Sequence, residues 1–154
     1  MSLEDLERRI KAIEDVEEIK QLKAMYCSYC DDNYDADGIA GLFTEDAVWD
    51  GGIRGRADGR EAIRGFFVNA SQRLPFAIHM VMNPIIKVEG DTATGIWYLF
   101  QACTYAEGNV AVWGSGRYDE QYVRIAGEWK FKHLKLTSNF WTPFDQGWAK
   151  TPFA

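Results

Sequence analysis

Apolar positions recur at helical spacing from the start of the chain. Ser2 with Asp5 three residues later resembles a helix start, and Leu3, Leu6, Ile10 and Ile13 follow on one face. At Asp15 the phase shifts: Asp15 and Glu18 read as a second cap that opens the run Val16, Ile19, Leu22, Tyr26, Tyr29. The pattern therefore predicts two helices, the second ending near Asn33. A short helix over residues 37–43 follows, then "AVWDGGIRG", which suits a strand with a bend, and "DGREAIRGFFVNA", whose Ala62, Ile63, Phe66 and Phe67 share one helical side. From about Phe76 the period changes to that of strands. Stretches near 76–89, 91–106, 109–124 and 127–141 are separated by "VEGDTA", "AEGNV" and "RIAGEW", each with a Gly, Asn or Asp suited to a hairpin. Helices first and an antiparallel meander afterwards predict one α+β domain over residues 1–154, with helices packed on one side of a strongly curved sheet.

One stretch breaks the expected alternation. Over residues 95–105 the odd positions hold Trp97, Leu99, Gln101, Cys103 and Tyr105, and the even ones Ile96, Tyr98, Phe100 and Ala102. A strand with one wet face should alternate apolar with polar, so each face is expected to meet something: helices or a cavity on one, another subunit on the other.

Composition narrows the function classes. The 154 residues carry 17 basic and 23 acidic side chains, a net charge of −6, which argues against nucleic acid or an anionic membrane as partner. No apolar run reaches membrane-spanning length, and "MSLEDLERRI" is charged where a secretory signal would be apolar, so a cytoplasmic location is expected. Three cysteines in a chain of this size point to reduced thiols.

Cys27-x-x-Cys30 invites a metal or redox reading. The other soft ligands, Cys103, His79 and His133, are scattered, and the pair sits in the last turns of a helix, where the dipole disfavours a thiolate; helix packing is the better reading, and no metal is expected. Asp31 and Asp32 oppose the same dipole and call for compensation, or are simply solvated. His79, in the apolar run "FAIHMVMNP", is either a satisfied core histidine or a ring whose N–H needs a carboxylate such as Asp31. His133, between lysines, is expected at a wet surface without a role. The aromatic side chains Trp97, Tyr98, Trp113, Phe140 and Trp141 suit a core or a cavity lining.

The segments "IKQLKAMYCSYCDD", "AIHMVMNPIIKVEGDTATGIWYL" and "GEWKFKHLKLTSNFWTPF" resemble the SnoaL-like branch of the nuclear transport factor 2-like superfamily, and within it hexachlorocyclohexane dehydrochlorinase and bile acid 7α-dehydratase; scytalone dehydratase is a further relative. The resemblance implies a cone-shaped, mixed but mainly antiparallel sheet. It also implies an aspartate and histidine acting together, here Asp31 and His79, with Tyr26 at the position of the dehydratase's helix tyrosine. The dehydrochlorinase's helix lysine and late-strand arginine are replaced by Tyr26 and Leu134, and the dehydratase's second aspartate by Gln101, which can position an oxygen and cannot exchange a proton. Tyr26 and Asp31 lie five residues apart, about 140° round an ideal helix, so both should face one cavity only if the helix end bends.

The expected function is a cofactor-independent lyase that removes water from a small cyclic or polycyclic substrate, with His79, Asp31 and Tyr26 catalytic and Gln101, Trp97, Trp141 and Phe144 binding the apolar ring compound. An isomerase that moves a proton in the same cavity, and a non-catalytic ligand-binding or assembly protein, are the alternatives. The two-faced strands suggest a homo-oligomer, by resemblance a trimer, and the tail "WTPFDQGWAKTPFA", held extended by Pro143 and Pro152, should serve there as a strap that closes the mouth of its own or a neighbour's cavity.

Overall fold

Helix α1 runs without interruption from Leu3 to Asp31, where the apolar pattern suggests two helices. Ser2 closes the expected capping box with Asp5, but Asp15 caps nothing. Its side chain is buried and receives Lys11 at 2.5 Å, Arg124 at 2.7 Å and the Trp129 indole at 3.4 Å. The phase shift marks a change of face on one helix. Ile19, Leu22, Lys23, Tyr26, Cys27 and Cys30 are buried, whereas Leu3, Leu6, Ile10 and Ile13 stay exposed. The computed structural model describes residues 2–153. After α1 come α2 (Ala36–Gly41), β1 (Phe43–Asp50), a 3-10 turn at Gly52–Arg54, β2 (Arg56–Asp58), α3 (Arg60–Phe67) and α4 (Ala70–Arg73). The long strands are β3 (Phe76–Glu89), β4 (Thr92–Tyr105), β5 (Val110–Ile125) and β6 (Glu128–Pro143), within about two residues of the expected bounds.

The six strands form one mixed sheet in the order β2-β1-β6-β5-β4-β3, antiparallel except for β1 alongside β6. Register shifts after Ser115 and Gln121 on β5, and after Met82 on β3, bend the ribbon, since a bulged strand curves and twists. Asn83, in the left-handed region with φ 54°, and Pro84 form the β3 irregularity; a proline is tolerated there because β3 is an edge strand. The concave face and the helices enclose a core that includes Trp49, Phe67, Leu99, Phe131 and Leu134. His133 departs from the expected wet position. It is half-buried between β1 and β5, its Nε2 has no partner among the described residues, and its neighbours Lys132 and Lys130 reach instead to Asp46 and Gly41.

Candidate active site

His79 lies on the edge strand β3, directly across from Gln101 of β4. An edge strand leaves backbone donors without a ladder partner, and the last residue of α1 supplies one here. The Asp31 carboxylate accepts the His79 backbone N–H at 3.0 and 3.3 Å and meets ring Nδ1 at 2.6 Å. A carboxylate can only accept, so Nδ1 carries the proton and a neutral ring keeps its lone pair on Nε2. The ring is 8% exposed against 31% for Asp31, so the acid shields the base from behind and remains partly solvated itself. Asp31 lies outside the cavity wall: Tyr26 enters it directly, while the Asp31 carboxylate bonds to His79, and α1 stays helical to its end without the bend that the spacing seemed to require.

Beyond Asp31 the chain reverses sharply. Asn33 and Tyr34 both take positive φ, 54° and 57°, a conformation uncommon for a bulky residue such as tyrosine. The reversal buries Tyr34 edge-on to the His79 ring at 6.2 Å and stacks it on Phe67 at 6.0 Å. These residues border a cavity of about 320 Å³ between the concave sheet, α1 and α3, whose wall also holds Tyr26, Trp49, Phe66, Gln101, Tyr118 and Trp141. Trp141 lies flat against β5 because its cross-strand partner is Gly114; a Cβ there would run into the indole.

Few polar groups interrupt the apolar lining. The Tyr26 hydroxyl accepts the Trp49 indole N–H at 2.9 Å, and burial pushes its phenol well above the ordinary range, so it stays a neutral donor. Gln101 is buried, and its amide has no hydrogen bond among the described residues. The Trp141 indole N–H is also buried, with the Tyr105 hydroxyl as its polar neighbour. Cys30 contributes to the wall, and burial pushes its thiol well above the usual value and that of Cys27 up to about 11, as helix packing requires.

Two expected ligand contacts lie elsewhere. Trp97 shares the concave face with Gln101 but sits four residues, about 13 Å, further along β4, and donates its indole N–H to Tyr122 at 3.0 Å in the core. Phe144 is exposed, bonds through its N–H to Ala111 and packs on Trp113 at 5.8 Å. Within one chain the tail beyond Trp141 does not line this cavity. It turns at residues 145–150, stacks Trp148 on Phe140 at 4.9 Å and returns to form a short parallel bridge between Phe153 and Trp141, more than an extended strap. Sequence reasoning overlooked Tyr34, Tyr118 and Arg54. The only signal for Arg54 was a charged residue among the glycines of "GGIRG".

The sequence model described as a SnoaL-like domain matches residues 11–135. A candidate scytalone dehydratase from Novosphingobium aromaticivorans superposes with a TM-score of 0.80 at 22% identity, covering 86% of this chain and 89% of that one. A hexachlorocyclohexane dehydrochlorinase from Novosphingobium barchaimii gives 0.79 at 24% identity, covering 88% and 94%. A candidate aromatic ring hydroxylase from Novosphingobium aromaticivorans gives 0.79 at 30% identity, covering 85% and 94%. A comparison with curated proteins finds no match.

Proposed function

We propose that this chain, which belongs to the SnoaL-like family of the nuclear transport factor 2-like superfamily, is a cofactor-independent lyase that removes water from a cyclic or polycyclic hydroxylated substrate. The observation that carries the reading is the 2.6 Å contact between Asp31 and His79 Nδ1, with Nε2 left unbonded among the described residues beside an apolar cavity. His79 Nε2 takes a proton from a carbon next to a carbonyl or an unsaturated ring. The electron pair forms the new double bond as the C–O bond of the neighbouring hydroxyl breaks. The imidazolium then returns its proton to the departing hydroxide, so water leaves and the base is restored. Asp31 holds the tautomer and stabilises the imidazolium, as the acid of a serine hydrolase triad does for its histidine. Tyr26 and Gln101 donate hydrogen bonds to the oxygen on which charge develops. Likeness to dehydratase- and dehydrochlorinase-named folds is consistent with elimination chemistry.

An isomerase would use the same base and return the proton to a second carbon; no Asp or Glu lines the cavity among the described residues, so His79 would carry the proton both ways, and product analysis separates the two. The test assays hydroxylated steroid and polyketide-like compounds with His79→Ala and Asp31→Asn. The expected result is a fall in kcat/KM of about 10²–10⁴ for the histidine variant, with a smaller fall for the aspartate variant. Turnover that survives both substitutions removes the pair from the mechanism, and ligand binding without turnover in the wild type favours a carrier.

A further inference from the structure

We propose that the cavity receives a ring compound bearing a carboxylate, and that Arg54 is the residue that binds the anionic group. The inference deepens the lyase reading by naming a feature of its substrate, and rests on it only for the identity of the site.

Arg8, Arg56, Arg64, Arg117 and Arg124 each meet an aspartate within 3.0 Å. Arg54 meets none among the described residues, although acids outnumber bases along the chain. It sits in the 3-10 turn after β1, half-buried in the cavity wall. Its contacts are neutral: Nη1 donates to Ser138 Oγ at 2.6 Å, and the guanidinium lies 3.7 Å from the Trp141 ring centroid. Burial pushes its pKa down, and the ionisable groups around it are the tyrosines 34, 105 and 118 and Cys103, which burial keeps protonated.

A desolvated cation without a counter-ion is costly unless a ligand completes it. Of the five guanidinium N–H groups one is used, leaving a fork suited to a carboxylate, and stacking on Trp141 fixes where that fork sits. Gln101, buried and without a hydrogen bond, supplies a further polar contact in the same cavity. The rest of the wall, with Trp49, Phe66 and Phe67, is an aromatic sleeve, and about 320 Å³ suits two or three fused rings. Arg73 also borders the cavity but is exposed, so water screens its charge and makes it the weaker candidate.

The test uses 2-naphthoate and its neutral counterpart 2-naphthamide as probes in isothermal titration calorimetry. The wild-type protein is expected to bind the carboxylate more tightly than the amide by about tenfold or more. Arg54→Gln removes the difference, Arg54→Lys keeps part of it, and His79→Ala leaves it in place. Equal affinity for the two probes, or binding of neither by the wild-type protein, overturns the proposal whether or not the variants fold. A preference that persists in folded Arg54→Gln, or that disappears in His79→Ala, overturns the assignment to Arg54. Failure of the lyase reading would appear as unchanged turnover in the His79 and Asp31 variants and would leave these affinities untouched.

Discussion

At His79 one carboxylate performs two tasks, since Asp31 satisfies an edge N–H that the sheet cannot use and selects the ring tautomer. Placing Asp31 at the dipole's unfavourable end is offset by these bonds. Buried thiols behave in the opposite sense. Burial pushes Cys27 and Cys103 up to about 11 and holds Cys30 well above the usual thiol value, so iodoacetamide at pH 8 should leave all three unmodified in the native protein while the denatured chain reacts fully; rapid native labelling by mass spectrometry would contradict this. Asp15 is the residue-scale anchor of α1. Burial pushes its carboxyl up, but hydrogen bonds from Lys11, Arg124 and Trp129 outweigh this and hold it below the usual range. A depressed carboxyl contributes stability that is present above about pH 4, the unfolded value, and is lost as pH falls through the folded value. Asp15→Asn should therefore cost about 1–3 kcal/mol at neutral pH, with the gap to wild type in thermal unfolding narrowing below about pH 4.

Between elements, α1 and β5 are joined by a buried ion pair. Lys23 Nζ lies 2.5 Å from Glu120, both side chains have no exposure, and the ammonium stands 3.3 Å from the Tyr118 ring centroid, beneath a tyrosine of the cavity wall. Tyr122 donates to the second Glu120 oxygen and itself accepts the Trp97 indole N–H. Removing one partner strands a buried charge, so Lys23→Met or Glu120→Gln alone should cost about 3–5 kcal/mol in urea unfolding. The double variant Lys23→Met with Glu120→Leu should lose much less than the sum of the single variants; additive losses would show that the two groups do not act as a pair. Helical spacing puts Lys23 in line with Ile19 and Tyr26 and so on the buried face, but its partner is 97 residues away, and a one-dimensional pattern has no means of naming it.

At the scale of the whole molecule, apolar side chains stand uncovered on the sheet and on α1. Ile78, Met80 and Met82 on β3 stand next to Ala102, Phe100 and Tyr98 on β4, and the first half of α1 exposes Leu3, Leu6, Ile10 and Ile13. A strand that is apolar on both sides is thus explained on one side by the cavity and core, while the other is open. We propose that this face joins copies of the chain into a homo-oligomer, with three the expected number. Light scattering coupled to size exclusion should give a multiple of the chain mass, and Met80→Glu with Met82→Glu should shift it toward monomer; a monomeric wild type would overturn the proposal. No helix among the described residues is long and apolar enough to cross a membrane.

The element types, the four long strands and their hairpins were legible in the chain because they depend on local period and turn chemistry, which neighbouring residues carry. The pairing of Asp31 with His79 was reached through a resemblance to a family; the residues alone offered it as one of two readings. Three matters were decided only by tertiary structure. Asp15 proved to be an ion-pair partner because Arg124 and Trp129 arrive from distant strands. Trp97 and Phe144 fell outside the cavity because distance along a strand and the path of the tail, not alternation, decide which aromatic side chains meet there. Arg54 became conspicuous only once folding had surrounded it with neutral groups, since a missing counter-charge is a property of three-dimensional neighbours and leaves no mark on the order of residues.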